Sequence, residues 1–297
     1  MRKTVFTLAL VLVLIAPGVA TLDEGVIERA DALYENDQSE QAISVLEGAL
    51  GSARNDRERA EVLWRLSRAT LAVGESLDDA GASEGELTAT YEAGEQYGIE
   101  AVEADPNNHL GYYWQSANIG RWGQTKGVLN SLFKAGPMRD LLRTAVEVEP
   151  EHAGSYYVLG QLYSEVPGLI SFGNVEYAVG LARKSIDLHE AELRSGEADE
   201  REHDYYIQLA NHLIKRDWNE RKRAREHENQ EQEYRDASNS LERGWYYEGT
   251  VRIPSMSDEQ EAREILEEMI ASLRSVQEPS DSHRRQLERA QELMGER

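Results

Sequence analysis

The sequence predicts an all-α fold of stacked antiparallel helical hairpins, a solenoid that carries inserted helices and ends in a C-terminal helical cap. Apolar residues recur at helical spacing, and the alternation of β-branched residues that marks a strand is almost absent. Residues 101–108 and 144–152 are similar segments in which a helix runs to a proline and a polar turn follows. Because proline forces the preceding residue out of the helical region, both segments indicate helix ends, and together they indicate an internal repeat.

The chain begins with a segment typical of a secretory signal peptide, residues 1–20. Arg2 and Lys3 supply a positive start, residues 5–16 are almost wholly apolar, and small residues at 18–20 suit cleavage. The apolar run is short for a membrane span, although an uncleaved N-terminal anchor is the alternative. We expect export to the periplasm or the extracellular space, with no stable membrane insertion after cleavage.

The repeat region is expected over residues 21–225, where the sequence resembles tetratricopeptide repeats. In the helix that begins near Tyr156, the aromatic residue is followed by Leu159, Gly160 and Tyr163 at the spacing of a repeat's first helix. The resemblance implies that the aromatic and leucine side chains pack between helices, while the small residue lets the two helices of a hairpin approach closely. Further first helices are expected around residues 30–33, 63–70, 112–117 and 206–213.

Two of these units are longer than the usual repeat. Pro106 and Pro150 are 44 residues apart. Compared with a standard repeat of 34 residues, about ten are therefore inserted between the helices of that unit. A longer insertion is expected at residues 75–91, after a turn at Gly74.

The last third of the chain has a different character. Residues 226–256 are expected to form a charged, solvated helix and a linker, in which Gly244 breaks the helix beside exposed aromatic side chains. Residues 257–297 are expected to form C-terminal helices that begin at an N-cap, Ser257. An apolar face in this segment predicts the cap on the solenoid, and it comprises Ile265, Met269, Ile270 and Leu273.

Composition excludes several classes of function. The 297 residues include 55 acidic and 32 basic side chains, a net charge of −23, and no cysteine. Nucleic acid is excluded as a partner because phosphate binding needs a basic surface. The lack of thiols excludes disulfides, cysteine-bound zinc and a cysteine nucleophile. Only six basic residues are lysine, which with the acid excess predicts adaptation to high salt; a GC-rich genome, which also favours arginine, is the alternative explanation.

The motifs give no catalytic residue, no metal site and no cofactor. The seven histidines are scattered at spacings that do not suit a shared metal, so they are interpreted as solvated helix residues. The glycine-rich stretch at residues 81–85 lacks a preceding strand and a phosphate-binding lysine, so it is interpreted as a flexible insertion between helices. We therefore predict that the protein is not an enzyme.

The resemblance to tetratricopeptide repeats also implies a concave groove lined by the first helix of each hairpin. Counting along the aligned helices gives eight candidate partner-binding residues on the groove side: Trp64, Arg68, Tyr113, Arg121, Tyr157, Gln161, Asn211 and Lys215. Arginine and tyrosine there suit a carboxylate or a peptide, with Arg68 or Arg121 setting its orientation. Two simpler interpretations stay open: the cations pair with local acids, and the aromatic side chains pack between helices.

A more specific resemblance covers residues 90–190. Its motifs are Tyr112-Tyr113-Trp114, Ile119-Gly120-Arg121-Trp122-Gly123, Leu159-Gly160-Gln161-Leu162-Tyr163 and Val166-Pro167-Gly168. This region resembles the exported tetratricopeptide proteins associated with TRAP-type transporters, the TatT family, and more distantly the regulator of microtubule dynamics proteins. The resemblance implies a helical periplasmic protein that pairs with a solute-binding protein, sometimes as an oligomer. Unlike the lipoprotein members, this sequence has no cysteine to carry a lipid anchor.

Together these observations predict a non-catalytic protein-binding or scaffold module of the cell envelope, the partner of a transporter's solute-binding protein. The expected partner is a protein or peptide. The alternative is a carrier of an organic acid or an apolar ligand, with a pocket between inserted helices at residues 114–122 and 166–174.

Overall fold

A computed structural model describes residues 24–169 and 171–295, and this part of the chain is all-α, as predicted, without a strand. The predicted signal peptide at residues 1–20 lies outside the described residues. A short 3₁₀ helix at Tyr247–Thr250 follows α11. The described α-helices are α1 Glu24–Glu35, α2 Ser39–Leu50, α3 Asp56–Asp79, α4 Glu84–Ala104, α5 His109–Lys126, α6 Val128–Val148, α7 Ala153–Glu165, α8 Val175–Ser195, α9 His203–Arg216, α10 Glu220–Asp236, α11 Ser240–Trp245, α12 Asp258–Ser275 and α13 Asp281–Gly295.

The first eight helices pack as four consecutive antiparallel hairpins, and each hairpin stacks on the next. The first helices α3, α5, α7 and α9 also touch in sequence order, which makes them one continuous inner layer. The fifth hairpin is different, because α9 packs against α12 and the chain between them forms a separate layer on α8. This arrangement confirms the predicted stack of helical hairpins.

The predicted insertions lengthen helices and do not form loops. α3 has 24 residues and α4 has 21, so the second hairpin extends beyond its neighbours. Gly74 does not form the turn: it is a buried residue within α3, packed so closely against the Tyr91 ring of α4 that a methyl group would not fit. The turn comes at Gly81, whose φ of +76° suits glycine.

The helix boundaries follow the local signals of the sequence. α4 and α6 end at Ala104 and Val148. Their C-caps, Asp105 and Glu149, are extended residues that precede prolines, as the repeat pattern predicted. Ser257 is the N-cap of α12 and forms a capping box with Gln260, which confirms that prediction. Gly160 lies close to the backbone of α8 at Ala178, where a small residue lets the hairpin close.

The C-terminal helices cover the end of the solenoid. Met269 and Leu273 of α12 are buried against α9, and Ile265 and Ile270 are partly buried beside them, which confirms the predicted cap. The predicted domain boundary at residue 225 falls inside α10.

Two expectations for the segment between α9 and α12 are wrong. α10 is not a purely solvated helix, because Arg223 on one of its faces is buried. The aromatic side chains after Gly244 are not exposed: Trp245 stacks on Tyr177 with ring centres 4.6 Å apart, and Tyr247 is buried. Long-range contacts override the polar local pattern in both cases: Arg223 pairs with Asp258 and Glu261 of α12, whereas Trp245 packs on α8.

A buried ionic cluster holds this segment to the solenoid. It contains three arginines and three carboxylates, and its members are Arg183, Arg216, Arg223, Glu248, Asp258 and Glu261. Arg216 has a fully buried side chain that pairs with Glu248 and, at 2.8 Å, with Asp258. Burial opposes the charge on Glu248, but its two arginine partners outweigh that effect and lower the pKa of Glu248 to about 2. Glu248 therefore stays charged at neutral pH, and the cluster joins α8, α9, α10 and α12.

None of the helices in the described part of the chain is both long and apolar enough to cross a membrane.

Candidate binding groove

Four tyrosines on the first helices lie near one another, and we call the surface that they form the tyrosine groove: Tyr34, Tyr113, Tyr157 and Tyr205. Burial, and to a smaller extent the nearby carboxylate of Glu202, raises the pKa of all four phenols. Because Glu202 acts on all four, their side chains are neighbours although they come from helices far apart in sequence.

The tyrosines of the groove are only partly exposed. Tyr157 stacks on Tyr205 with ring centres 4.7 Å apart and planes 26° apart. Tyr113 meets the edge of His152 at 4.8 Å. Burial raises the pKa of Tyr157 to about 12, so its hydroxyl is a hydrogen-bond donor at neutral pH.

The first pair of predicted groove residues is Trp64 and Arg68, which lie at the α1 end. Trp64 is buried, and its indole nitrogen donates to Glu61 at 3.1 Å, so it packs between helices. Arg68 forms an ion pair with Asp31 of α1 and lies over the Tyr34 ring, 4.0 Å from its centre. Arg68 thus reaches the tyrosine groove but already has a carboxylate partner.

Arg121 lies at the far end of α5 and also has a carboxylate partner. It pairs with Glu75 of α3 and contacts Gln124 at 3.3 Å. Burial disfavours its charge, but Glu75 outweighs that effect and raises the pKa of Arg121. Its side chain lines an open cleft of about 320 Å³ together with Tyr91 and Asp78.

The remaining predicted residues lie on α7 and α9. Gln161 donates to the Tyr157 hydroxyl at 3.0 Å, so these two act as one unit in the groove. Asn211 is half-buried on α9. Lys215 is exposed at the end of that helix and pairs with Glu165 at 2.6 Å. Each predicted groove cation therefore has a local acid partner, which is the simpler interpretation that the sequence left open.

Sequence reasoning missed Tyr34, Tyr205 and Glu202. One signal could have found Tyr205. Tyrosine doublets stand near the starts of three successive first helices, at residues 112–113, 156–157 and 205–206, and one member of each doublet faces the groove. Glu202 is solvent-exposed, yet the protein surrounding it raises its pKa by desolvation, as expected for a carboxylate inside a concave surface.

The expectation that the histidines are solvated is wrong. His189, His203 and His212 are buried, and burial lowers the pKa of His212 to about 3. His152 is half-buried, with a pKa also lowered to about 3 by burial, and lies 2.8 Å from the Ser155 hydroxyl. Ser155 is inside α7 and does not cap it. Within the described residues, no group of three or more histidine, aspartate or glutamate side chains is placed to hold a metal.

A second open cleft, of about 440 Å³, lies between α5 and α6 and is lined by Gln115, Ile119 and Lys134 among others. Both clefts use residues from the 114–122 segment that the sequence suggested for a carrier pocket. Residues described in the 166–174 segment line neither of them.

Comparison with known proteins gives a family model and a solved structure that are similar to this chain. The model, described as regulator of microtubule dynamics protein 1-3, matches residues 26–172, or 147 of 297 residues. A thermophilic tetratricopeptide-repeat protein of Thermus thermophilus is 16% identical, over 65% of this chain and 81% of that one, with a TM-score of 0.47. No curated protein matches the sequence. The similarity to the regulator of microtubule dynamics family confirms the more distant of the two resemblances in part, whereas the resemblance to the TatT family stays a prediction.

Proposed function

We propose that this protein is a non-catalytic binding scaffold that docks a segment of a partner protein in the tyrosine groove. The observation that carries the proposal is the clustering of four partly exposed tyrosines from four helices, in which Tyr157 stacks on Tyr205. Tyrosine offers a large contact area and a polar tip while losing little conformational freedom, which is why it is frequent at the centres of interfaces. A rigid stack of hairpins holds these anchors at fixed spacing.

The ion pairs of Arg68 and Arg121 indicate how a partner would bind. Arg68 and Arg121 each have a carboxylate partner, so a carboxylate on the partner would have to displace a local acid. The hydroxyl of Tyr157 instead accepts a hydrogen bond from the neutral side chain of Gln161, and the carboxylate of Glu202 is exposed. We therefore place the binding energy in the tyrosines and assign the two arginines to shaping the wall.

The proposal can be tested by affinity isolation of partners from the envelope fraction of the native cells, at high salt. The bait would be residues 21–297 as wild type, as Tyr157→Ala/Tyr205→Ala, and as Tyr112→Ala. Tyr112 is a matched control, because it is the neighbour of Tyr113 on α5 and its hydroxyl contacts the backbone of Pro106, 3.1 Å away. A partner retained by wild type and Tyr112→Ala but lost by the groove variant supports the proposal. Equal recovery by all three, or no partner at all, would overturn it.

We further propose that the protein is exported and serves a solute-binding protein of a TRAP-type transporter. This rests on the apolar segment at residues 1–20 and on the resemblance of residues 90–190 to the TatT family. Fractionation of cells that express the tagged chain should place it in the envelope or the medium. Recovery in the cytoplasm alone, without loss of the N-terminal segment, would contradict export.

Adaptation to high salt is also proposed, on the net charge of −23 and the six lysines. Salt screens the repulsion among the excess acids, so the midpoint of thermal unfolding should rise as KCl is increased towards molar concentrations. A midpoint that does not change, or that falls, would contradict this proposal.

A further inference from the structure

The last helix, α13, returns to the inner side of the solenoid. Arg285 pairs with Asp79 at the end of α3, 2.8 Å away although 206 residues separate them. Gln286, the next residue, donates to Asp204 of α9 at 3.1 Å, and Arg289, one turn further on, donates to the same carboxylate at 3.4 Å. α13 therefore packs on α9 and α12 and reaches the second hairpin through the Arg285–Asp79 pair.

This position brings α13 to the tyrosine groove. The Arg289 guanidinium, held at Asp204, lies near enough to the Tyr157 hydroxyl to oppose in part the rise in the pKa of Tyr157 that burial causes. On its other side α13 is apolar: Ala290 is fully buried, and Leu287 and Leu293 pack with it against α9 and α12. The helix thus carries two arginines, Arg285 and Arg289, four residues apart beside an apolar stripe. The arginines pair with Asp79 and Asp204, and the stripe packs against α9 and α12.

The polar contacts that hold α13 contribute little to its stability. The Arg285–Asp79 pair is more than half exposed on both sides, and exposed pairs contribute little. On α13 itself, Gln286 is buried and its Oε1 has no hydrogen-bond partner. Burying polar atoms without partners is unfavourable, so this part of the α13 contact is imperfect.

The connection to α12 would allow α13 to leave. Residues 277–280 are all exposed, and Pro279 lies within them. By contrast α12 buries Leu266, Met269 and Leu273 against α9 and is joined to the buried ionic cluster through Asp258. The cap formed by α12 can therefore persist when α13 is released.

We propose that α13 is an internal occupant of the groove and that the partner binds by replacing it with an amphipathic helix of the same chemistry. Such a helix carries two arginines four residues apart beside an apolar stripe. Its arginines would pair with Asp79 and Asp204, and it would fill the apolar surface that Leu287 and Ala290 cover. The partner chemistry follows from charge complementarity with these acids. This inference rests on the proposed function, because it names the class of segment that the groove takes.

The test uses a fluorescent peptide with the sequence of residues 279–295 and the full chain in three forms. The first is wild type. The second is Arg285→Glu/Arg289→Glu, which sets like charges against Asp79 and Asp204 and should release α13. The third, Arg263→Glu/Arg274→Glu, makes the same charge change on exposed positions of α12. Peptide binding is measured by fluorescence anisotropy, and the exposure of α13 by hydrogen–deuterium exchange.

We expect the releasing variant to bind the peptide at least about ten-fold more tightly than wild type, because a ligand's apparent affinity is reduced by the fraction of sites already occupied. The α12 control should bind like wild type. A peptide in which both arginines are replaced by glutamate should not bind, and amides of α13 should exchange faster in the releasing variant.

Equal affinity of the peptide for all three forms, or no binding to the releasing variant after exchange has shown α13 to be free, would overturn the inference. A peptide that binds equally well after the two arginines are replaced would overturn the assigned chemistry. These results are distinguishable from failure of the proposed function. If the Tyr157→Ala/Tyr205→Ala variant still loses the envelope partner, the groove binds a partner and only the role of α13 is wrong.

Discussion

Arginine–carboxylate pairs occur in two contrasting regions of this molecule, the groove wall and the buried ionic cluster. In the groove wall, Arg121 and Glu75 keep 43% and 36% of their side-chain surfaces exposed. In the cluster, Arg216 and Asp258 keep none. The chemistry of the two pairs is the same, but water reaches only the first.

The difference separates charged side chains that stabilise the fold from charged side chains that a partner can contact. A buried pair that loses one member leaves an uncompensated charge in a poorly polarisable surrounding, so the cluster fixes the segment between α9 and α12 in place. A half-exposed pair gains little from its own contact, because water and salt compete for both members. Partner binding is therefore expected to involve the groove wall and to leave the cluster untouched.

The largest effect is expected from Arg216→Met. The substitution leaves Glu248 and Asp258 without their shared partner in the core. Breaking a buried pair in this way costs roughly 3–5 kcal/mol in the free energy of unfolding. Urea denaturation followed by circular dichroism measures it, with Arg221→Met on the exposed face of α10 as the control. A loss below about 1 kcal/mol, the range of a surface pair, would mean that the buried cluster contributes no more to stability than the groove wall.

A smaller effect is expected from acid. His212 is buried with a pKa of about 3, lowered chiefly by burial, whereas a histidine in the unfolded chain titrates near 6.5. The unfolded state therefore binds a proton that the folded state does not, and stability falls as the pH drops below about 6.5. Between pH 6.5 and 5 this amounts to about 2 kcal/mol for one such histidine.

His212→Leu should remove that part of the pH dependence and leave the part due to His152, whose pKa is lowered in the same direction. Urea denaturation of both proteins at several pH values measures the difference, and the two curves should run parallel between pH 7 and 8.5. If the slopes are also equal between pH 6.5 and 5, His212 is not neutral in the folded protein.

The smallest effect is expected from Arg121→Met in the groove wall. Because the Arg121–Glu75 pair is half-exposed, its loss should lower the free energy of unfolding by no more than about 1 kcal/mol. At 1 M KCl, where charges are screened beyond roughly 3 Å, the loss should vanish, whereas the loss caused by Arg216→Met should persist. A salt-independent loss at Arg121 would mean that this pair behaves as a buried one.

The difference between local and long-range contacts explains which parts of the fold could be predicted from the sequence. Helix periodicity and the two proline-ended segments are local signals, so the hairpins and the α12 cap could be predicted. The buried cluster joins residues 183, 216, 223, 248, 258 and 261 across four α-helices and the 3₁₀ helix, and no local pattern marks such pairing. Arg223 in particular stands in a run of charged residues, which is the usual sign of a solvated helix.

The groove was predictable in part for a related reason. Counting along the repeats selects first-helix positions, and this brought out Tyr113 and Tyr157. It did not bring out Tyr34 or Tyr205, which occupy different registers on α1 and α9. The position of α13 depends on contacts such as that between Arg285 and Asp79, and periodicity carries no information about them.

The central claim is that the tyrosine groove binds the partner, and the most direct test is the dissociation constant of an isolated partner segment. Isothermal titration would compare wild type, Tyr157→Ala/Tyr205→Ala and Tyr112→Ala. Loss of anchors at the centre of an interface costs about 2 kcal/mol or more, so we predict that the groove variant binds at least about 30-fold more weakly, while Tyr112→Ala binds like wild type. Equal affinities for all three proteins, with all three folded, would contradict the account.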